Sequence, residues 1–291
     1  MIRLDAATVL LQWSVGGMAF CWFTTRQREV GLGYGWLLRS TYATLALASV
    51  LVGLRYGAVP TRELSTVGVV GSTIIALVVS IRRRAAGVRG QRSEHDRRSD
   101  RVAAMTGIDR PDRPPERVVG DVREFPPVLD AVPALIGSVG LLAAGWAAAP
   151  DGGVDVVVAL LRTLVGAAFL GSITDAMLLG HWYLVQPGLP RRLLNQIVLA
   201  VGWIWPFEVA AMLLPPGMAG VWSGAVDDGW NGTLGWFWAA CAVTTIVLVF
   251  VTRAALRERQ YSAVMAATGL LYLAILTAFG TDLVARAVLD S

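Results

Sequence analysis

A chain of 291 residues that is 55% apolar and only 16% charged lies outside the range of soluble domains, where about a quarter of residues carry charge. The formal charge is +4, every one of the 25 basic residues is an arginine, and twelve of them fall between Arg82 and Arg123, so the rest of the chain is more apolar still. This excludes a soluble globular fold and lysine-based Schiff-base or nucleophilic chemistry. It also assigns the basic character to membrane loops, with lipid and not nucleic acid as the partner.

A helix needs about 20 apolar residues to cross the hydrocarbon core. In chain order, eight segments meet that need: Ala6–Thr25, Gly35–Arg55, Leu64–Ile81, Val128–Ala149, Val154–Trp182, Leu193–Leu214, Thr233–Thr252 and Tyr261–Leu283. The expected fold is an all-α polytopic membrane helix bundle. Spans one to three occupy residues 1–81 and spans four to eight residues 127–291. The first span lacks a small-residue cleavage site and is expected to be retained. Before the second span, "GLGYG" (Gly31–Gly35) reads as a turn, because no pore helix precedes it to make a filter loop.

The segment 82–126 between spans three and four is rich in Arg, Asp, Glu, Gly and Pro and has no sustained apolar period. Such a segment cannot bury enough surface to offset its ordering entropy. It is expected to be a disordered cytoplasmic linker that could dock a protein partner, with His95 solvated in it. Span three carries small residues at Gly68, Ser72, Ala76 and Ser80, and span four at Gly140, Ala144 and Ala148. Such stripes let helices approach closely in lipid, and contacts within the chain are the simpler use for them. Spans one and five share "LLQWSVG" (Leu10–Gly16) and "LLRTLVG" (Leu160–Gly166). The offset of 150 residues suggests a faint four-plus-four repeat.

Orientation follows from the arginines. The loops after spans one, three, five and seven hold 19 of them, and the other end holds four, with acidic loops at Asp151, Asp155, Asp227 and Asp228. The positive-inside rule makes the Arg-rich end cytoplasmic and puts both termini outside. Arginine in place of lysine, with much Ala, Gly and Val, fits a GC-rich genome, and the expected location is the bacterial plasma membrane.

Charged groups inside spans are costly and need a partner or a task. Arg162 on span five and Glu208 on span six lie at similar depth and are expected to form an ion pair holding the two helices in register. Pro206 in "GWIWPFE" should kink span six beside Glu208. Asp175 lies about two turns from the inner end of span five, near the depth of Asn195 and Gln196 on span six. Arg39 and Gln260 could complete an inner polar layer, with His181 and Tyr183 at its mouth. His181 follows Asp175 by six positions, so the two do not share a helical face. The candidate ligand-binding set is therefore Asp175, His181, Trp182, Tyr183, Asn195 and Gln196.

Several site types are excluded. A bis-histidine haem needs two histidines within spans and only His181 lies near one, and no ligand set has zinc spacing, so no metal is expected. No GxSxG elbow or P-loop is present, Asp227-Asp228 is a lone acidic pair, and Cys21 and Cys241 stand apart inside apolar runs as buried thiols. No catalytic constellation is visible, and the chain is not expected to be an enzyme by itself. Three functions compete. The first is a non-metal-carrying partner or subunit of a membrane electron-transfer complex, holding a quinone or lipid between the donors and rings of the candidate set. The second is a proton-coupled small-solute transporter using Asp175, Glu208 and Arg162. The third is a membrane scaffold or assembly protein whose polar groups are structural.

Overall fold

The computed structural model describes residues 5–89, 105, 124–149, 152–186, 188–215, 217–258 and 260–289. Eight helices in it are long and apolar enough to cross a membrane. They are α1 (Ala6–Thr25), α2 (Leu32–Tyr56), α3 (Pro60–Arg82), α4 (Val128–Ala147), α5 (Val154–Val185), α6 (Arg192–Leu213), α8 (Thr233–Arg257) and α9 (Tyr261–Leu289), with a short helix α7 (Ala219–Ser223) before α8. No strand occurs among the described residues. The chain is thus a polytopic membrane helix bundle, as its composition indicates.

Local signals set the helix starts. The Asp5 carboxylate accepts the Thr8 amide at 2.7 Å and caps α1. Pro60 sits in the first turn of α3, where its missing N–H costs nothing. Before α8, Gly232 adopts a left-handed φ of 81°, and Asp228 gathers the amides of Trp230, Gly232 and Leu234, each at 2.9 Å. These amide bonds outweigh desolvation and hold the Asp228 carboxyl below its ordinary range. Pro133 in α4 and Pro206 in α6 lie inside helices that stay continuous.

The helices form two rings of four. In the first, α1 packs on α2, α2 on α3, α3 on α4 and α4 on α1; in the second, α5 packs on α6, α6 on α8, α8 on α9 and α9 on α5. The neighbour order is the same in both halves. The rings join chiefly through α1 against α5, the two helices that carry the shared seven-residue pattern. These run in the same direction and touch backbone to backbone. A Cβ on Gly16 would stand 1.8 Å from the Ala167 carbonyl oxygen, and one on Gly171 would stand 2.2 Å from the Gly16 carbonyl carbon. Side-chain bonds reinforce the seam: Gln12 Nε2 donates to the Thr163 carbonyl at 2.6 Å, and the Trp13 indole to Thr174 Oγ1 at 2.9 Å.

The small-residue stripes serve contacts within the chain. Gly68 faces Ile136, Ser65 bonds the Ile136 carbonyl and the Gly140 amide, and Ser80 accepts the Trp36 indole N–H. Most of the expected 82–126 linker lies outside the described residues, as does His95. Its two ends are packed: Ala86, Val88 and Phe125 are buried, and Arg83 Nη1 donates to the Glu124 carbonyl at 3.0 Å.

Candidate functional site

Buried charge is concentrated at three places, two near the acidic end of the bundle and one near the Arg-rich end. At the acidic end of the first ring, Arg62 binds Asp5, Glu63 and Thr8, and its Nη2 caps the Gly57 carbonyl. That cluster ties the α2–α3 turn to the start of α1 and has an evident structural use.

The second cluster lies at the acidic end of the other ring and joins α5, α6 and α9. Asp282 and Arg286 are one turn apart on α9 and form a two-pronged pair, Nε–Oδ2 2.8 Å and Nη2–Oδ1 2.7 Å, with both side chains buried. Arg286 also donates to the Arg162 carbonyl at 3.2 Å. Arg162 is buried and reaches to the end of α6, where Nε donates to the Ala211 carbonyl at 3.0 Å and Nη2 to the Leu214 carbonyl at 2.8 Å. These are final-turn carbonyls with no partner inside the helix, so Arg162 caps α6. Glu208 is fully buried between the other members and interacts electrostatically with Asp282, Arg286 and Arg162. Neither of its oxygens meets a donor. The expected pairing of Arg162 with Glu208 thus becomes one interaction in a four-membered cluster, with two Arg162 hydrogen bonds going to backbone.

Gly166 makes room for this cluster. A Cβ there would lie 2.2 Å from Arg286 Nη2, 3.0 Å from Asp282 Oδ1 and 3.1 Å from Gln12 Nε2. The cluster therefore sits at the junction of the two rings, with Gln12 of α1 at its edge.

The third group lies near the Arg-rich end. Arg39 binds Asp130 through Nε–Oδ1 at 2.6 Å and Nη2–Oδ2 at 2.7 Å, and Thr25 Oγ1 adds a bond to Asp130 Oδ2 at 2.8 Å. Arg39 also lies over the Phe125 ring at 4.2 Å. Deeper in the bundle, the Tyr42 hydroxyl donates to Asp175 Oδ1, and Asp175 Oδ2 has no hydrogen-bond partner. The amides of α6 are not the partners of Asp175, and Arg39 serves Asp130 instead.

The six expected ligand-binding residues do not converge. Asp175 is fully buried. His181 is exposed on the outer face and meets the Tyr272 hydroxyl through Nδ1 at 3.1 Å. Trp182 meets Tyr34 at a tilt of 56°, ring centroids 6.0 Å apart, and donates to Gln186 Oε1 at 3.1 Å. The Tyr183 hydroxyl caps the turn by donating to the Pro190 carbonyl at 2.6 Å. Asn195 is half-buried at the start of α6, and Gln196 Oε1 accepts from Gln27 Nε2 at 2.9 Å. Gln260 contributes its backbone carbonyl to Arg191. Around them runs a latch the sequence did not announce, in which Gln27, Glu29, Gln186 and Arg192 join the α1–α2 turn to the α5–α6 turn.

Sequence reasoning also missed Asp130, Asp282 and Arg286 as buried charges. A usable signal existed for the last two, an Asp and an Arg four positions apart beside an apolar run. No family model, curated protein or solved structure matches the chain.

Proposed function

We propose that the chain is a proton-coupled carrier of a small solute, with Glu208 as its proton-carrying group. The observation that supports this reading is the Glu208 carboxyl, fully buried beside Asp282 with no donor to either oxygen. Two carboxyl groups buried side by side repel each other when both are ionised. The two arginines hold the cluster neutral when both acids are ionised and cationic when one is protonated. A structural cluster needs no such change, whereas a carrier uses it to bias one arrangement of the helices over another. The location fits the task. The cluster borders the seam between two rings with the same neighbour order, and relative motion of such halves is how many repeat-built carriers expose a central site to each side in turn.

The quinone-holding reading required the donors and rings of the candidate set to line one pocket, and they are spread from the buried core to the exposed face of α5. The carrier reading is tested in sealed vesicles containing the purified protein and a pH-sensitive dye, with an imposed potential and a panel of small solutes. The expected result is solute-dependent proton uptake that Glu208→Gln abolishes. Uptake equal to that of protein-free vesicles for every solute, or unchanged in Glu208→Gln, rejects it.

A further inference from the structure

A recess opens at the Arg-rich end of the first ring, walled by the α1–α2 turn, the first turn of α2, the tail of α3 and the segment before α4. Its lining includes Thr25, Arg28, Gly31, Gly35, Arg39 and Phe125, and the space within it is small, about 30 Å³. Three features of this recess point to one kind of ligand.

The first is Arg39. Its side chain is only 1% exposed, Asp130 takes Nε and Nη2, and Nη1 has no hydrogen-bond partner. Gly35 and Arg39 both line the recess, and a Cβ on Gly35 would stand 2.7 Å from Nη1, so the absent side chain at Gly35 lets this buried nitrogen lie beside the floor of the recess. A buried guanidinium N–H without an acceptor is costly, and a bound oxygen would offset that cost. The second is the start of α2. Its cap, Gly31, supplies no side-chain acceptor and gives its own amide to Gln186 Oε1 at 3.0 Å, so the positive end of the helix meets the recess at Leu32. The third is Arg28 at the mouth. It is held at a φ of 54° and forms a half-exposed ion pair with Glu124 at 3.2 Å. A stronger anion can take the place of that carboxylate on Arg28.

We propose that this recess binds a phosphate oxyanion, one oxygen seated on Arg39 Nη1 and the charge shared between Arg28 and the start of α2. The apolar walls of Val30, Leu32 and Val88 and the position at the end of the spans suit either the headgroup of an acidic lipid or free phosphate. The site is independent of the carrier reading, since it shares no residue with the Glu208 cluster.

The test is thermal unfolding of the detergent-purified protein, followed by tryptophan fluorescence. Titrants are short-chain phosphatidylglycerol, short-chain phosphatidylcholine, sodium phosphate, and sodium chloride at matched ionic strength. A saturable upward shift of the midpoint is expected with phosphatidylglycerol or phosphate and not with the other two. Response to phosphatidylglycerol alone assigns the site to lipid, and response to phosphate assigns it to the free anion. Arg28→Gln should weaken the apparent affinity about tenfold, as loss of one charge-assisted contact does. Gly35→Ala, which covers Nη1, should abolish the shift; if that variant does not fold, Arg28→Gln decides alone. The proposal is overturned if chloride and phosphatidylcholine act equally well, if no titrant gives a saturable shift, or if the folded variants respond like the wild type.

Discussion

Arg39 and Asp130 stand 91 positions apart in the chain and meet as a two-pronged pair, 1% and 0% exposed. The bond joins α2 to the first turn of α4 and closes the first ring across the gap left by the 82–126 segment. Removing one partner strands a buried charge. Arg39→Met or Asp130→Leu should each cost about 3–5 kcal/mol, and the two combined should recover most of it. Unfolding in a double-mutant cycle measures the coupling; additive losses would show that the two side chains act separately.

The four charges of the Glu208 cluster are predicted to differ sharply in structural weight. Asp282 holds Arg286 in a two-pronged pair, so Asp282→Asn should cost about 3–5 kcal/mol. Glu208 accepts no donor, and Glu208→Gln should cost no more than about 1–2 kcal/mol. Stability measured on the two purified variants checks the order, and a larger loss for Glu208→Gln would make Glu208 the structural anchor.

At the seam between the rings, Gly16 and Gly171 leave no space for a methyl group. Gly16→Ala or Gly171→Ala must push α1 off α5 and should lower stability by about 1–3 kcal/mol or more. Gly71→Ala and Gly269→Ala are the controls. A Cβ at either meets nothing within 4 Å, so the helix preference of alanine should leave stability unchanged or raise it by up to about 1 kcal/mol. Melting temperatures of the four variants give the comparison.

Outside the membrane, the pH dependence should reveal Asp228. Its pKa is depressed in the folded state by the amides it accepts, against the opposing effect of desolvation. An acid with a lowered folded pKa contributes stability that is complete above its unfolded value, about 3.9, and is lost as pH falls through the folded value. The stability gap between wild type and Asp228→Ala should be constant near neutrality and shrink below about pH 4. A gap that does not change across that range would mean that the cap is not made by the ionised carboxylate.

Much of the fold was legible because hydrophobic length decides membrane spans. The expected limits of the first span coincide with α1, and the expected start of span four is the first residue of α4. Differences occur at the ends. Helix α2 begins at Leu32, three residues before the expected Gly35, because Gly31 caps it. Helices α8 and α9 continue past the expected Thr252 and Leu283 to Arg257 and Leu289, because arginine is a good helix former even where it leaves the hydrocarbon. The polar sites were less legible for a different reason. Which residue answers Arg39 or Asp175 depends on which helices are neighbours, and hydrophobic pattern carries no such information. Arg162 and Glu208 were found because consecutive helices are neighbours almost by necessity; Asp130 was not, because its partner lies across a long connection.

The α1–α5 seam also sets a timetable for the making of the protein. The glycine face of α1 and the amide of Gln12 are completed by residues about 150 positions later. At about 5–20 residues per second of synthesis, the first helix waits on the order of ten to thirty seconds for the fifth. During that interval its backbone groove is open in the nascent chain, so a translational pause before residue 154 prolongs exposure of the surface most able to bind the wrong helix.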